Sequence, residues 1–278
     1  MSTEWGSAEL DLDAYLRRIS YAGDLRPDER TLAALHRAHV AAIPFENLDI
    51  MLGRGVEVDL PSVQAKLVGQ RRGGYCYEHG MLFGAALERL GYPVDRFLAR
   101  TGDPVEHPRP RTHMVLRVAV GDRPWLADVG FGSGLLEPLP METTGAVRQG
   151  GWSYRLVAGD DRTWRLRELQ GANWVTLQTF TAEPLYWVDV AVANYNTATH
   201  PDSPFTQRPI VVRKDDHTVR SLIGREFSVT TPDRSVRRRD LADDEFAPVL
   251  RAEFGVVLTP AEVATIVATV PNPLEVAR

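Results

Sequence analysis

Cysteine is nearly missing from this chain: Cys76 is the only one in 278 residues, so no internal disulfide can form and a reducing compartment is the expected setting. Cationic excess is missing as well. At a formal charge of −5 the chain has no general attraction for nucleic acid or anionic lipid, and neither is expected as a partner. No run approaches the ~18 uninterrupted apolar residues of a membrane span, and Met1 to Gly6 carry no basic region followed by an apolar core. A cytoplasmic location is the expectation. There is no GxxxxGK, no dinucleotide fingerprint, no internal repeat and no low-complexity tract. His36 with His39, and Cys76 with His79, stand at metal-like spacings. Neither pair has a supporting cluster of further ligands, so no metal is expected; the histidine pair reads as a solvated or core helix face.

What is present is a 44% hydrophobic chain long enough for one large or two to three small domains, with a real core. The lone thiol falls where a turn becomes a helix, in Arg71-Arg72-Gly73-Gly74-Tyr75-Cys76-Tyr77-Glu78. The paired glycines break the preceding helix and permit backbone conformations closed to other residues. After them Phe83, Leu87 and Leu90 recur at i, i+4 and i+7, and Gly91 with Pro93 gives a stop. Cys76 is then expected in the first helical turn, where unpaired N–H groups and the helix dipole favour a thiolate nucleophile. The competing reading is a small buried hydrophobe.

A histidine and an aspartate downstream bear on that choice. His113 to Val120 and Trp125 to Val129 read as strands joined by the two-residue loop Gly121-Asp122, so the pair is antiparallel and 115 lies opposite 128. His113 and Asp128 then share a face as diagonal neighbours, roughly 7–8 Å apart at the backbone. A carboxylate beside an imidazole fixes its tautomer and stabilises the imidazolium, and an imidazolium beside a thiol draws off its proton. Cys76, His113 and Asp128 are thus a candidate triad, although singly each also reads as an ordinary structural residue.

The chain divides by character into residues 1–91, 92–183 and 184–278. The first part reads as helical, with Asp11 as a cap before Leu12, Tyr15, Leu16 and Ile19, a second helix opened by Pro27-Asp28-Glu29, and Pro44 ending it. Phe45 to Leu48 is expected to be irregular, and a helix carrying Val63 and Leu67 leads to the double glycine. The middle part reads as an antiparallel meander forming a small barrel, with strands from Tyr154, Trp164 and Trp174 and a proline-rich loop over 103–111 running up to the histidine. The last part is mixed: a helix opened by Pro184, a broken loop over 199–209, strands near 210–212 and 227–229, and a terminal helix from Pro260. Arg237-Arg238-Arg239 reads as a solvated charged face because Asp240, Asp243, Asp244 and Glu245 follow it.

These residues resemble the arylamine N-acetyltransferase family. The resemblance rests on Arg72 to Glu78, Thr112-His113-Met114, Asp128-Val129-Gly130-Phe131-Gly132 and Ile43-Pro44-Phe45-Glu46-Asn47-Leu48, with Ser203-Pro204-Phe205 as a weaker mark in the second half. One position departs: Gly80 follows His79 where the family's pattern has asparagine, which alters hydrogen bonding near the thiol. The resemblance implies an α+β fold with a cysteine-protease-like triad. In it a helical domain carries the nucleophile, a β-barrel domain carries the histidine and aspartate, and a C-terminal α/β domain forms a lid. It implies an acyltransferase of xenobiotic metabolism with acetyl-CoA as co-substrate and no tightly bound cofactor. The acceptor would be an arylamine, arylhydrazine or hydrazide, and the protein a monomer or homodimer. Phe45 and Tyr77 would line the acceptor side, Thr112, Gly130, Phe131 and Gly132 the CoA arm, and Phe205 the rim. Two other catalytic readings use the same constellation: a related acyltransferase or amide synthase with another acyl donor, and a Cys-His-Asp hydrolase.

Overall fold

Asp11 accepts from the Ala14 N–H at 2.8 Å to open α1 (Leu12–Arg18), and Asp28 does the same for the Thr31 N–H at 2.8 Å to open α2 (Glu29–Ala42). The computed structural model describes residues 5–142, 145–159, 163–183 and 185–270, so Met1 to Glu4, the turn residue Asp160 and the expected helix opener Pro184 lie outside it. After α2 the chain forms β1 (Phe45–Glu46), α3 (Leu48–Met51) and α4 (Leu60–Gln64). A wide π turn over Ala65–Gly69 follows α4, and α5 (Cys76–Arg89) begins at the cysteine.

The middle of the chain supplies β2 (Val94–Thr101), β3 (Arg111–Val120), β4 (Arg123–Ala127), β5 (Leu139–Pro140), β6 (Val147–Gln149), β7 (Trp152–Ala158), β8 (Thr163–Gln170) and β9 (Asn173–Thr181). They form one antiparallel sheet in the order β5-β4-β3-β2-β9-β8-β7-β6. Among the described residues its outer strands do not pair, yet buried Gln149 on β6 reaches the segment that leads into β5. Its Oε1 accepts from the Leu136 and Glu137 N–H groups at 2.8 and 3.1 Å, and its Nε2 donates to the Glu137 carbonyl at 2.8 Å. One side chain therefore stitches the seam of a nearly closed barrel. Trp152 is part of the core, with its Nε1 donating to the Asp215 carbonyl at 2.8 Å.

Beyond the barrel come α6 (Trp187–Thr199), α7 (Pro204–Gln207), β10 (Ile210–Lys214), β11 (Val219–Ile223), β12 (Glu226–Thr230), β13 (Val236–Asp240), α8 (Phe246–Phe254) and α9 (Pro260–Ala268). The four strands form a second antiparallel sheet whose far edge is β1: Phe45 pairs with Val212 and Glu46 with Val211. Here the expectation of an irregular 45–48 segment fails. A two-residue strand is too short to show alternation, and its partner is remote in sequence. The 199–209 stretch, expected as loop, holds the single turn α7, and β11, β13 and α8 have no counterpart in the sequence reading. Arg237 to Arg239 lie on β13, exposed throughout, as a solvated charged face requires.

Two apolar cores result. The larger joins α1, α2 and α5 to the barrel, and the smaller packs Leu48 and Met51 with Val211, Leu222 and α8. The architecture is α+β.

Candidate active site

Cys76 is the first residue of α5 and is buried. Its position is fixed by how closely two stretches of backbone approach. A Cβ on Gly73 would collide with the Pro44 carbonyl, and one on Gly74 would come 2.6 Å from Glu78 Oε2. Neither glycine has a positive φ, which belongs to Arg71 at +55°. The pair is needed for contact rather than for conformational freedom, contrary to the sequence expectation. Across that contact the Glu46 N–H donates to the Gly74 carbonyl at 2.7 Å. Buried Arg72 grips Glu46 Oε1 at 2.8 Å, and Lys66 bridges Asp49 and Glu78 at 2.9 and 2.8 Å. Glu78 in turn accepts from the Tyr75 N–H at 2.9 Å, capping the helix that carries the thiol. Burial pushes the Glu78 carboxyl up to about 7, against the opposing pull of Lys66.

The hairpin register is the expected one: Val120 pairs with Arg123 and Leu116 with Ala127, and Gly121 takes φ +58° in the loop. His113 Nε2 donates to Asp128 Oδ2 at 2.8 Å, both residues being buried. Burial alone would push His113 down. The Asp128 charge and hydrogen bond outweigh it, Cys76 adds to them, and together they hold the imidazole up at about 10. For Asp128 burial pushes the other way, and His113, the Gly130 N–H and Gln178 keep the carboxyl below its usual range. Thr112 is the extra residue of a bulge, since Ala99 pairs with His113 and Arg100 with Arg111. Its carbonyl accepts from Cys76 Sγ at 3.5 Å.

Three further histidines lie beneath the site, all buried, which selects the core-face reading of His36 and His39 over the solvated one. Tyr15 Oη is 2.9 Å from His39 Nδ1, His39 Nε2 is 2.9 Å from His79 Nδ1, and His79 Nε2 is 3.2 Å from the Pro44 carbonyl. With neutral rings this is a one-directional donor chain ending on the loop before Phe45. His36 accepts the Asp128 N–H at 3.2 Å and faces the Leu136 carbonyl at 2.9 Å. Burial pushes His36 and His79 down to about 4. Among the described residues no group of three or more His, Cys, Asp or Glu side chains is arranged to hold a metal.

Aromatic residues cluster around the start of α5. Phe45 stacks on His79 at 6.5 Å and meets Phe205 at 5.9 Å, and Tyr75 touches Phe205 at 5.7 Å. Tyr77 lies deeper, fully buried, with its ring 5.4 Å from Tyr75 and its hydroxyl 3.4 Å from Thr197 Oγ1. Phe131 sets its ring at right angles to His113 at 5.2 Å and borders a cavity of about 420 Å³ with His107, Arg109 and Trp174. Thr112 borders a second of about 570 Å³ with Arg111, Val192 and Asn196. Gly132, at φ +78°, backs onto Phe45.

Several contributors escape sequence reasoning. Asn47 donates to the Phe205 and Arg208 carbonyls at 2.7 and 2.9 Å, and accepts from the Ile210 N–H at 2.7 Å, thereby holding the Phe205 turn. It lies in a quoted motif but gives no hint of its partner. Buried Lys214 donates to the Ser133 carbonyl at 2.8 Å and pairs with Glu168 at 3.2 Å, fixing the loop after Phe131. Met114 fills the space beside Gly80, where a Cβ would collide with its sulfur. An asparagine could not be added there without displacing Met114.

Residues 28–263 match a model of the N-acetyltransferase family. The chain is 40% identical to the arylamine N-acetyltransferase of Mycolicibacterium smegmatis over 90% of its own length and 93% of that protein. In structure it is similar to the arylamine N-acetyltransferase from Mycobacterium abscessus, with TM-score 0.91, 37% identity and 96% of each chain covered. It is likewise similar to the Mycobacterium marinum arylamine N-acetyltransferase in complex with CoA, with TM-score 0.86, 32% identity, and 93% and 99% covered.

Proposed function

The chain belongs to the arylamine N-acetyltransferase family, and on that premise we propose that it moves an acetyl group from acetyl-CoA to the nitrogen of an arylamine, arylhydrazine or hydrazide by way of Cys76. The observation that carries the assignment of residues is the 2.8 Å bond from His113 to Asp128, with the Cys76 thiol donating to the carbonyl of Thr112, the residue next to that histidine.

In the first half-reaction the Cys76 thiolate attacks the thioester carbonyl carbon. The bond to the CoA sulfur breaks, and the departing sulfur takes the proton from the His113 imidazolium. In the second, the amine attacks the acetyl-cysteine and His113 accepts the amine proton as the carbon–sulfur bond to Cys76 breaks. Asp128 keeps the imidazole oriented and its charge stabilised throughout. The Cys76 N–H, first in its helix and so without an intrahelical acceptor, is the donor offered to the tetrahedral oxyanion.

Phe45 and Phe205, backed by Tyr75 and Tyr77, form the apolar acceptor side in this reading, and Thr112, Gly130 and Phe131 flank the donor arm. Residues 1–91, 92–183 and 184–278 act as the nucleophile-bearing, barrel and lid parts. The setting is a cytoplasmic xenobiotic-metabolising enzyme, monomeric or homodimeric, with acetyl-CoA as a dissociable co-substrate.

Mixing the enzyme with acetyl-CoA alone tests this. Free CoA should appear to about one equivalent and stop, and the intact protein should gain the mass of one acetyl group on Cys76, because the burial of Cys76 keeps water off the thioester. Adding an aromatic hydrazine should restart turnover with ping-pong initial rates. Continuous CoA release without amine would instead define a thioester hydrolase, and retention of only a longer acyl group would change the donor.

A further inference from the structure

Gln178 lies on β9 and is fully buried. Its Nε2 donates to Asp128 Oδ2 at 3.0 Å, the same oxygen that accepts from His113, while Asp128 Oδ1 takes the Gly130 N–H at 3.0 Å. Its own Oε1 is buried and has no hydrogen-bond partner among the described residues. A bare buried amide oxygen is unfavourable, and turning the amide over would set that oxygen against a carboxylate. The side chain is therefore held where it is by what it does for Asp128.

A local distortion of the sheet delivers it there. Leu166 pairs with Gln178 but Arg167 with Thr176, so Leu177 is left over as a bulge. Alternation breaks, and Gln178, Thr179 and Phe180 are buried in succession. The corresponding irregularity on β3 leaves Thr112 over, immediately before His113. Bulges thus occur on both neighbours of β2, and one precedes each donor to the Oδ2 atom of Asp128. From α5 no side chain competes at position 80, a glycine covered by Met114.

We infer that Gln178 is a positioning residue for acetyl transfer: it fixes the Asp128 carboxylate in the orientation that holds His113, and as an added donor to the charged carboxylate it strengthens the hold on the imidazolium. The inference rests on the acetyl-transfer reading above for its activity assay, though not for its thiol readout. The titratable groups facing the pair are Cys76 and His79 from α5 and His36 from α2. Burial keeps both of those histidines neutral down to about 4, so neither contributes to pH changes in the working range.

Gln178→Met keeps the length and removes both amide atoms. It is expected to lower kcat/KM about 10–100-fold, chiefly through kcat. It should also raise the pH at which iodoacetamide alkylation of Cys76 is half-maximal, because a less firmly held carboxylate stabilises the imidazolium less. Gln178→Glu places a second carboxyl beside Asp128; only when protonated can it donate as the amide does, so its transfer activity should recover as pH falls. A folded Gln178→Met enzyme with parent-like turnover and a parent-like alkylation profile overturns the inference. Should that variant fail to fold, Gln178→Glu decides: an acid-shifted profile supports the role, and one superimposable on the parent's overturns it. Alkylation needs no acyl donor. If the parent is alkylated but transfers no acetyl group, the functional reading alone fails, and the alkylation profiles of the variants still decide for or against Gln178.

Discussion

Gly130 and Cys76 are in backbone contact: a Cβ placed on Gly130 would lie 2.9 Å from both the Cα and the carbonyl oxygen of Cys76. The turn following Asp128 is thereby pressed against the first turn of α5, and the spacing of carboxylate, imidazole and thiol is set by backbone as well as by side chains.

Gly130→Ala should force that contact apart. Because neither backbone can yield like a flexible side chain, a loss of acetyl transfer on the order of 10²-fold is expected from misplacement alone, with a stability cost of about 1–3 kcal/mol. Steady-state kinetics and urea unfolding of the same preparation check both. Parent-like activity would mean that the turn floats free of the nucleophile.

If Cys76 is the nucleophile of the triad, iodoacetamide should alkylate it quickly near neutral pH, with loss of activity in step. Acetyl-CoA should protect it. Reaction no faster than that of a free thiol at pH ~6–7 would rule out an activated nucleophile.

Asp128→Asn should fold and lose acetyl transfer on the order of 10³–10⁴-fold, since the amide cannot stabilise the imidazolium. In either orientation the new NH₂ also meets a donor: the Gly130 N–H at the Oδ1 position, or His113 and Gln178, both donors to the present Oδ2. Circular dichroism beside turnover checks this. A folded variant with near-normal rates would make the pair purely structural.

Acid stability should be governed by the buried histidines. Burial pushes His36 and His79 to about 4 and His39 well below its ordinary value, whereas an unfolded histidine titrates near 6.5. The stability these groups contribute is complete above about 6.5 and is lost as pH falls through about 4. His113 has the opposite sign: raised to about 10, its contribution is complete below about 6.5 and is lost as pH rises through about 10. Glu78, with its carboxyl raised to about 7, works the other way over the same window, but three histidines outnumber it, so urea unfolding should show stability declining between about pH 6.5 and 4, by up to roughly 1.4 kcal/mol per pH unit for each net proton taken up on unfolding. A flat profile across that range would mean that these histidines are already charged in the folded protein.

The hairpin was readable because a two-residue loop fixes parity, and parity alone puts His113 and Asp128 on one face. The helix start at Cys76 was readable from Gly74 and the spacing of Phe83 and Leu87. The bulges were not: Thr112 and Leu177 carry no glycine or proline to mark them, and a bulge is visible only against a partner strand. Gln178 was hidden for that reason, since plain alternation along β9 gives no cause to turn it toward Asp128. Gly73 and Gly74 were recognised as necessary but for the wrong property, because Pro44 and Glu46, against which Gly73 packs, are distant in sequence. Gly80 drew notice as a missing asparagine, and only the packing of Met114 shows how its space is used.

The strand shared by Phe45 and Val212 also bears on how the chain is made. The residue after β1, Asn47, is tied to the Phe205 and Arg208 carbonyls, 158 and 161 residues downstream, and β1 has no partner other than β10 within its sheet. During synthesis the thiol-bearing helix and its glycine turn emerge long before these partners do. The reactive centre must wait, incompletely braced, until most of the chain has been translated, a delay expected of contacts so remote in sequence.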